Sequence, residues 1–490
     1  MLLFRDFWRR AAFCAVRSRV VLLVSAAALM NPAGAQVSPT EASALPTPVE
    51  AALARARLPP EALSVVVVEA QGGRAPMRLA HRPQVPANPA SVMKLVTTYA
   101  ALEQLGPAYV WTTPVYVQGL VQDGSLRGNV YIKGQGDPKL VMERLWLLMR
   151  RLQGLGIQVI VGDIVLDRTA FEVPDHDPAR FDGEPLRPYN VAPEALLVNY
   201  KSSVMTLVPD VPSGVAYIQY DPPMAGVQRP ASVALAAPGT PCGDWRSGLR
   251  ADLADPAKVI LQGVFPATCG ERVWPVAATD PRGFAARAVE GMWRELGGKL
   301  TGSVRDGKVP AGLQPAFVAT SPPLAEVVRD VNKYSNNVMA QQVYLTLALQ
   351  KNGVATFDGA RDVLRQWWQA RMGDAEMPQV DNGAGLSRDA RVTAQALARM
   401  LQVAWTSPVM PELMASLPIS GVDGTLRRSQ SRAGTAHLKT GSLRDVMAVA
   451  GYVHAASGRR YVLVAIVNHA NAAAARPVID SLIDWTARDQ

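Results

Sequence analysis

The stretch NPASVMKLVTTYAALEQLG, residues 88–106, decides the fold. Its apolar residues recur at helical spacing and stop at Gly106, and the turn-rich run HRPQVPANPA (81–90) precedes it, so a helix opening at Ser91 is expected. Upstream, LSVVVVEA (63–70) is a continuous β-branched run and reads as a strand covered on both faces. The expected helix therefore carries both Ser91 and Lys94. Positions three apart share a helix face, so the Lys94 amine can reach the Ser91 hydroxyl and serve as its base without any histidine. For that it must be neutral, and burial beside a second cation is the usual route. A lone Ser-x-x-Lys reads as an exposed helical pair. Lys94, however, is the only lysine of the chain with a serine three positions earlier, and the pair sits where helix-end N–H groups can face a developing negative charge.

Outward from this stretch the texture changes. Residues 105–312 contain short strands (GNVYIKG, GIQVIVGDIVLD), dense prolines between Val173 and Pro193, and two cysteines, and read as an insertion. Helical periodicity returns in FAARAVEGMWRELG, in LAEVVRDVNKYSNNVMAQQVYLTLALQ and in ARVTAQALARMLQVAW. The chain closes with strands DVMAVAGYVHA and RRYVLVAIVNH and a helix around ARPVIDSLIDWTA. The expected architecture is an α/β (α+β) domain built from residues 36–104 and 313–490, interrupted by the strand-rich insertion 105–312.

Two further segments carry chemistry. Ser335-Asn336-Asn337 is the only Ser-x-Asn, and its hydroxyl and amide can pass a proton to a leaving amine and hold a substrate amide. Lys439-Thr440-Gly441-Ser442 directly precedes a strand. There a cation and a hydroxyl can grip a carboxylate, and Gly441 permits close approach of a substrate backbone. The N–H groups of Ser91 and Ser442 are the candidate oxyanion hole. The order Ser-x-x-Lys, Ser-x-Asn, Lys-Thr-Gly is the set found in β-lactamases and penicillin-binding proteins, with Asn336 where aspartate is also seen.

The segments NPASVMKLVTTYAAL, YIKGQGDPKL, NVAPEALLVNYKSSVMTLVP, DNGAGLSRDARVTAQALARML, LPISGVDGTLRR and HLKTGSLRDV resemble the class C low-molecular-mass penicillin-binding proteins, the D-alanyl-D-alanine carboxypeptidase/endopeptidase family. The resemblance implies a penicillin-binding-protein/serine β-lactamase-like transpeptidase domain with inserted domains between the first two motifs. It implies Ser91 as the acylated serine, Lys94 as its base and Ser335 as a further catalytic group, with Asn337, Lys439, Thr440 and Gly441 binding substrate. It further implies peptidoglycan stem peptides and cross-links as substrates and β-lactams as covalent inhibitors. Within the same segments, Asp381, Gly383 and Gly385 read equally as a loop bordering the site or as a helix-capping turn. Gly421, Asp423 and Gly424 read as structural, and Asp167 reads as a turn aspartate.

Composition sets the outer limits. At 490 residues and 49% hydrophobic, the chain is long enough for two or three globular domains. The net charge of +9 is spread without a dense Lys/Arg block, which argues against nucleic acid and reads first as a basic solvated surface, with loose attraction to an anionic polymer as the functional alternative. Arg5, Arg9, Arg10, Arg17 and Arg19 precede the apolar run Val20 to Met30, which ends near Ala33-Gly34-Ala35. This is the order of a secretory signal peptide over residues 1–35, so an exported, periplasmic protein is expected, soluble or peripheral at the membrane. Cys14 would leave with it, and Cys242 and Cys269 remain at a spacing compatible with one disulfide. No cofactor is expected, and no metal, because His-Glu-x-x-His and a four-ligand cysteine/histidine set are both missing from the sequence. The five histidines, at 81, 176, 437, 454 and 469, accompany no nucleophile elbow. A β-lactamase and a wall-binding module remain as rivals. The length and the insertion weigh against the first, and three intact motifs against the second.

Overall fold

The computed structural model describes residues 44–71 and 77–489. The expected signal segment, with Cys14, lies outside the described residues. A five-stranded antiparallel sheet runs in the order Ala436–Leu443, Val446–His454, Arg460–Asn468, Leu63–Glu69, Leu79–His81, so both ends of the chain build it. Side chains alternate across a strand. In Leu63–Glu69 this sends Val66 and Val68 into one core and Leu63, Val65 and Val67 into another, which explains the four consecutive valines; Ser64 is buried among them. The first core is shared with the helices Lys94–Leu105, Asn337–Asn352 and Ala394–Trp405. The second is shared with Thr47–Arg55 and Arg476–Ala487. The mixed α/β layering expected from the sequence is therefore present.

Three local readings change. Ser91 does not open an α-helix directly: it lies in the short 3-10 turn Ala90–Met93, which passes into the α-helix Lys94–Leu105. The periodic stretch from Leu324 is two helices, Leu324–Lys333 and Asn337–Asn352, broken by Ser335 at φ 57°. The break has a local cause. Asn336 turns its side chain back to accept a hydrogen bond from the Met339 N–H at 3.1 Å, capping the second helix and competing with continuation of the first. Likewise the helix in ARVTAQ begins only at Ala394, because the Thr393 hydroxyl caps it and Val392 is paired as a bridge with Ala87.

The insertion forms two further sheets. One joins Thr112–Gln122, Ser125–Lys133, Val159–Ile160 and Ile164–Asp167 with Lys299–Leu300, Val304–Asp306 and Phe317–Thr320, and packs on the helices Met142–Gln153 and Phe284–Glu295. The other spans Ser202–Asp210 to Arg272–Ala277 with its own small core, where Cys242 and Cys269 are disulfide-bonded. The strand Phe317–Thr320 pairs with Thr112–Gln122 in the first of these sheets, with Phe317 opposite Val115. The insertion's sheet thus reaches past residue 312, where the sequence ended it. A four-residue apolar run does not declare a partner two hundred residues upstream.

Candidate active site

The turn that presents Ser91 is held from four directions. The Asn88 N–H donates to Asn468 Oδ1 at 2.8 Å and Asn468 Nδ2 donates back to the Asn88 carbonyl at 2.9 Å, tying the turn to the strand Arg460–Asn468. Asn88 Oδ1 accepts from the Ala90 N–H, and Asn88 Nδ2 donates to the Ser387 carbonyl, each at 2.9 Å. Ala90 itself sits at φ 47°, a left-handed conformation that an alanine adopts only when its surroundings fix it.

Lys94 is fully buried one helical turn below Ser91. Its Nζ lies 2.9 Å from Ser91 Oγ, 2.6 Å from Asn337 Oδ1 and 2.6 Å from the Ala384 carbonyl oxygen. The amide of Asn337 has one orientation that satisfies both neighbours, because its Nδ2 donates to the Tyr189 carbonyl at 3.0 Å. Burial holds Lys94 well below the ordinary lysine range, and the charge of Lys439 pushes it the same way. A neutral amine has two N–H bonds and one lone pair. Here the two oxygens of Asn337 and Ala384 can take both N–H bonds, which leaves the lone pair for the Ser91 O–H.

A second buried amine mirrors the first. Lys439 Nζ lies 2.9 Å from Ser335 Oγ and 2.7 Å from the Thr440 carbonyl, and burial lowers its pKa to about 7. Ser91, Ser335, Thr440 and Ser442 line one cavity of about 300 Å³. A larger hollow of about 840 Å³ beside Met372 and Glu376 contains none of the motif residues, so size does not identify the site. All three sequence motifs thus meet around a single opening.

Some assignments shift on inspection. A Cβ on Gly441 would stand 2.3 Å from the Pro89 carbonyl and 3.1 Å from the Ser91 nitrogen, so what Gly441 admits closely is the nucleophile's own turn. Gly441→Ala is therefore expected to displace Ser91 and slow its acylation by ~10²-fold, read as the rate of labelled β-lactam uptake at unchanged secondary structure. Gly385 is similar: at φ 76° its Cβ would meet the Ala90 carbonyl at 1.9 Å. Its loop therefore packs against the site and is more than a helix cap. Within that loop the carbonyls of Ala384 and Gly383 accept from Lys94 Nζ and Thr97 Oγ1, while Asp381 is exposed. Asp167 is buried and accepts from Thr169 and from the Val309 N–H, and Asp423 pairs with the buried Lys333 at 2.6 Å. Both are structural, as the sequence suggested. The carbonyls of Ala384 and Tyr189 escaped sequence reading because a main-chain oxygen leaves no residue-type signal. Only the glycines of DNGAGL hinted at one of them.

A family model described as the D-Ala-D-Ala carboxypeptidase 3 (S13) family matches residues 45–489. A D-alanyl-D-alanine carboxypeptidase of Actinomadura sp. (strain R39) is 29% identical over 380 residues, which is 72% of this chain and 68% of that one. D-alanyl-D-alanine carboxypeptidase DacB of Haemophilus influenzae is 25% identical over 345 residues, 69% of this chain and 70% of its own length. In three dimensions, the crystal structure of penicillin binding protein 4 (dacB) from Haemophilus influenzae aligns with a TM-score of 0.70 at 22% identity, covering 90% of this chain and 99% of that one. A complex of the same protein with a novel β-lactam aligns at 0.62.

Proposed function

The chain belongs to the D-Ala-D-Ala carboxypeptidase 3 (S13) family, and from that membership and the contacts around Ser91 we propose that it cleaves D-alanyl peptide bonds of peptidoglycan through a Ser91 acyl-enzyme that β-lactams also form. The observation that carries this reading is the fully buried Lys94, whose Nζ lies 2.9 Å from Ser91 Oγ and 2.6 Å from each of two further oxygens, Asn337 Oδ1 and the Ala384 carbonyl.

In the proposed reaction Lys94 takes the Ser91 proton as Oγ bonds to the substrate carbonyl carbon, and the oxygen takes up the negative charge facing the N–H groups of Ser91 and Ser442. Ser335, in contact with Lys439 Nζ, gives its proton to the departing amine and is reprotonated by Lys439. The C–N bond breaks and the ester remains on Ser91. The proton taken from Ser91 then passes from Lys94 to the now neutral Lys439, which restores both amines. A water molecule gives a proton to Lys94 as its oxygen bonds to the ester carbon. Lys94 hands that proton to Ser91 Oγ as the ester C–O bond breaks and the acid leaves, losing its own proton to solvent. Lys439 and Thr440 hold the substrate carboxylate, and Asn337 positions both the substrate amide and Lys94. A β-lactam enters the same path by presenting its ring carbonyl to Ser91.

On this reading the catalytic part is built from the two ends of the chain, up to residue 104 and from 321 on, and the insertion, extended to 320 by the strand Phe317–Thr320, reaches the site through Tyr189. The N-terminal pattern and the Cys242–Cys269 disulfide support an exported, periplasmic protein, soluble or peripheral at the membrane. Among the described residues no helix is long and apolar enough to cross a membrane. Purified protein incubated with defined muropeptides is expected to release D-alanine or sever cross-links, followed by mass spectrometry. Binding without any product would overturn the assignment.

A further inference from the structure

The cavity that holds Ser91, Ser335 and Thr440 does not end at the motifs. Its lining also includes Arg428 and Arg476, together with the apolar side chains of Met447, Val449 and Ile479. Two chain segments far apart supply these guanidiniums. Arg428 follows the short turn Gly424–Leu426, and that turn is pinned to the site because the Thr425 and Thr440 hydroxyls lie 2.7 Å apart. Arg476 opens the helix Arg476–Ala487, which packs under the sheet.

Among the described residues neither guanidinium has an ion-pair or hydrogen-bond partner. The one acid in the lining, Asp480, is occupied: it is buried, and accepts from Ser429 Oγ at 2.6 Å and from the Gln430 N–H at 3.3 Å. The lining thus carries two guanidiniums against a single carboxylate, an excess of positive charge at the cavity of the nucleophile. Thr425, three residues before Arg428, touches Thr440, the hydroxyl placed to hold the carboxylate of a leaving D-alanine, and this ties the Arg428 segment to the leaving-group side. Arg476 lines the same cavity.

We propose that Arg428 and Arg476 form an anionic subsite for the leaving group, taking carboxylates of a peptide larger than a single D-alanine. The inference rests on the Ser91 reading and extends it to substrate class. The departing half of a peptidoglycan cross-link is such a peptide, carrying several carboxylates beyond the broken bond. A terminal D-alanine carries one, and Lys439 and Thr440 are placed to hold it. A cavity of about 300 Å³ also gives more room than one alanine occupies. Charge-assisted Arg–carboxylate bonds are strong and directional, and at an open cleft they weaken as salt is added. The arginines thus tilt the enzyme toward cutting cross-links over trimming free termini.

The test compares wild type, Arg428→Gln/Arg476→Gln and Arg428→Lys/Arg476→Lys on a cross-linked muropeptide dimer and on a monomeric pentapeptide. The glutamine pair is expected to lose ~10-fold or more in kcat/KM on the dimer, mainly through KM, and to lose less than ~3-fold on the pentapeptide. The lysine pair recovers part of the loss, and raising salt narrows the gap between wild type and the glutamine pair on the dimer alone. Equal losses on both substrates, or none on either, would overturn the subsite. Labelled β-lactam uptake separates the two layers of inference. A wild type that takes up no label refutes the Ser91 reading. If wild type and glutamine pair are both acylated at similar rates but their dimer-to-pentapeptide ratios agree, only the subsite falls.

Discussion

Ser91→Ala is expected to take up no labelled penicillin and to release no product from muropeptides, while wild type of the same preparation does both. The expectation follows from where Ser91 sits. Among the described residues its Oγ is the one hydroxyl within 2.9 Å of the buried Lys94 amine. Ser335 also opens on the cavity, but its contact is Lys439, so the two hydroxyls are not interchangeable. Removing Oγ takes away a single contact. The turn keeps its four anchors through Asn88 and Asn468, and the fold should lose no more than about 1 kcal/mol, seen as a near-wild-type melting curve. Labelling of the alanine variant at the wild-type level would remove Ser91 from the reaction and move attention to Ser335.

How much of this was legible beforehand depends on what kind of signal each feature leaves. The strand Leu63–Glu69 and the two final strands announce themselves because both faces are buried, so nearly every inner position is apolar. The three motifs announce themselves because a base three residues from a nucleophile, a short polar pair and a Lys-Thr-Gly edge need particular side chains. What stayed hidden is carried by backbone or by long-range pairing. The break at Ser335 falls inside an unbroken run of helical periodicity, and only the capping of Asn336 onto Met339 ends it. The oxygens that consume the N–H bonds of Lys94 come from Asn337 and from the main chain of Ala384, and the latter could have been any residue type. At Gly441 the close approach visible in the structure is to the nucleophile's own turn, a packing constraint that a linear reading does not show. Arg428 and Arg476 are single arginines among many, and nothing in a linear reading marks them as facing one cavity.

Replacing Lys94 tests the chemistry in a second way, because a buried amine leaves marks on both rate and stability. Lys94→Met keeps the apolar stem and removes the base, so acylation by a β-lactam is expected to slow by ~10²–10⁴-fold while the protein still folds. The pH dependence carries the sign. The wild-type rate should fall as pH is lowered through the depressed Lys94 pKa, because the amine takes a proton and its lone pair is lost to Ser91. In Lys94→Met the residual rate should lack that limb. Stability moves in the linked direction. Since the folded-state pKa lies below the unfolded value, the folded protein binds fewer protons than the unfolded chain between the two, so wild-type stability rises with pH across that interval. Lys439, lowered to about 7 by burial, contributes the same slope from about pH 7 upward and remains in the variant. Chemical denaturation at several pH values should therefore give Lys94→Met a shallower alkaline rise than wild type, without a flat profile. An unchanged acylation rate would refute Lys94 as the base. A slow variant with an unaltered stability slope would mean that the amine stays charged in the resting enzyme, and that Ser91 finds its base elsewhere.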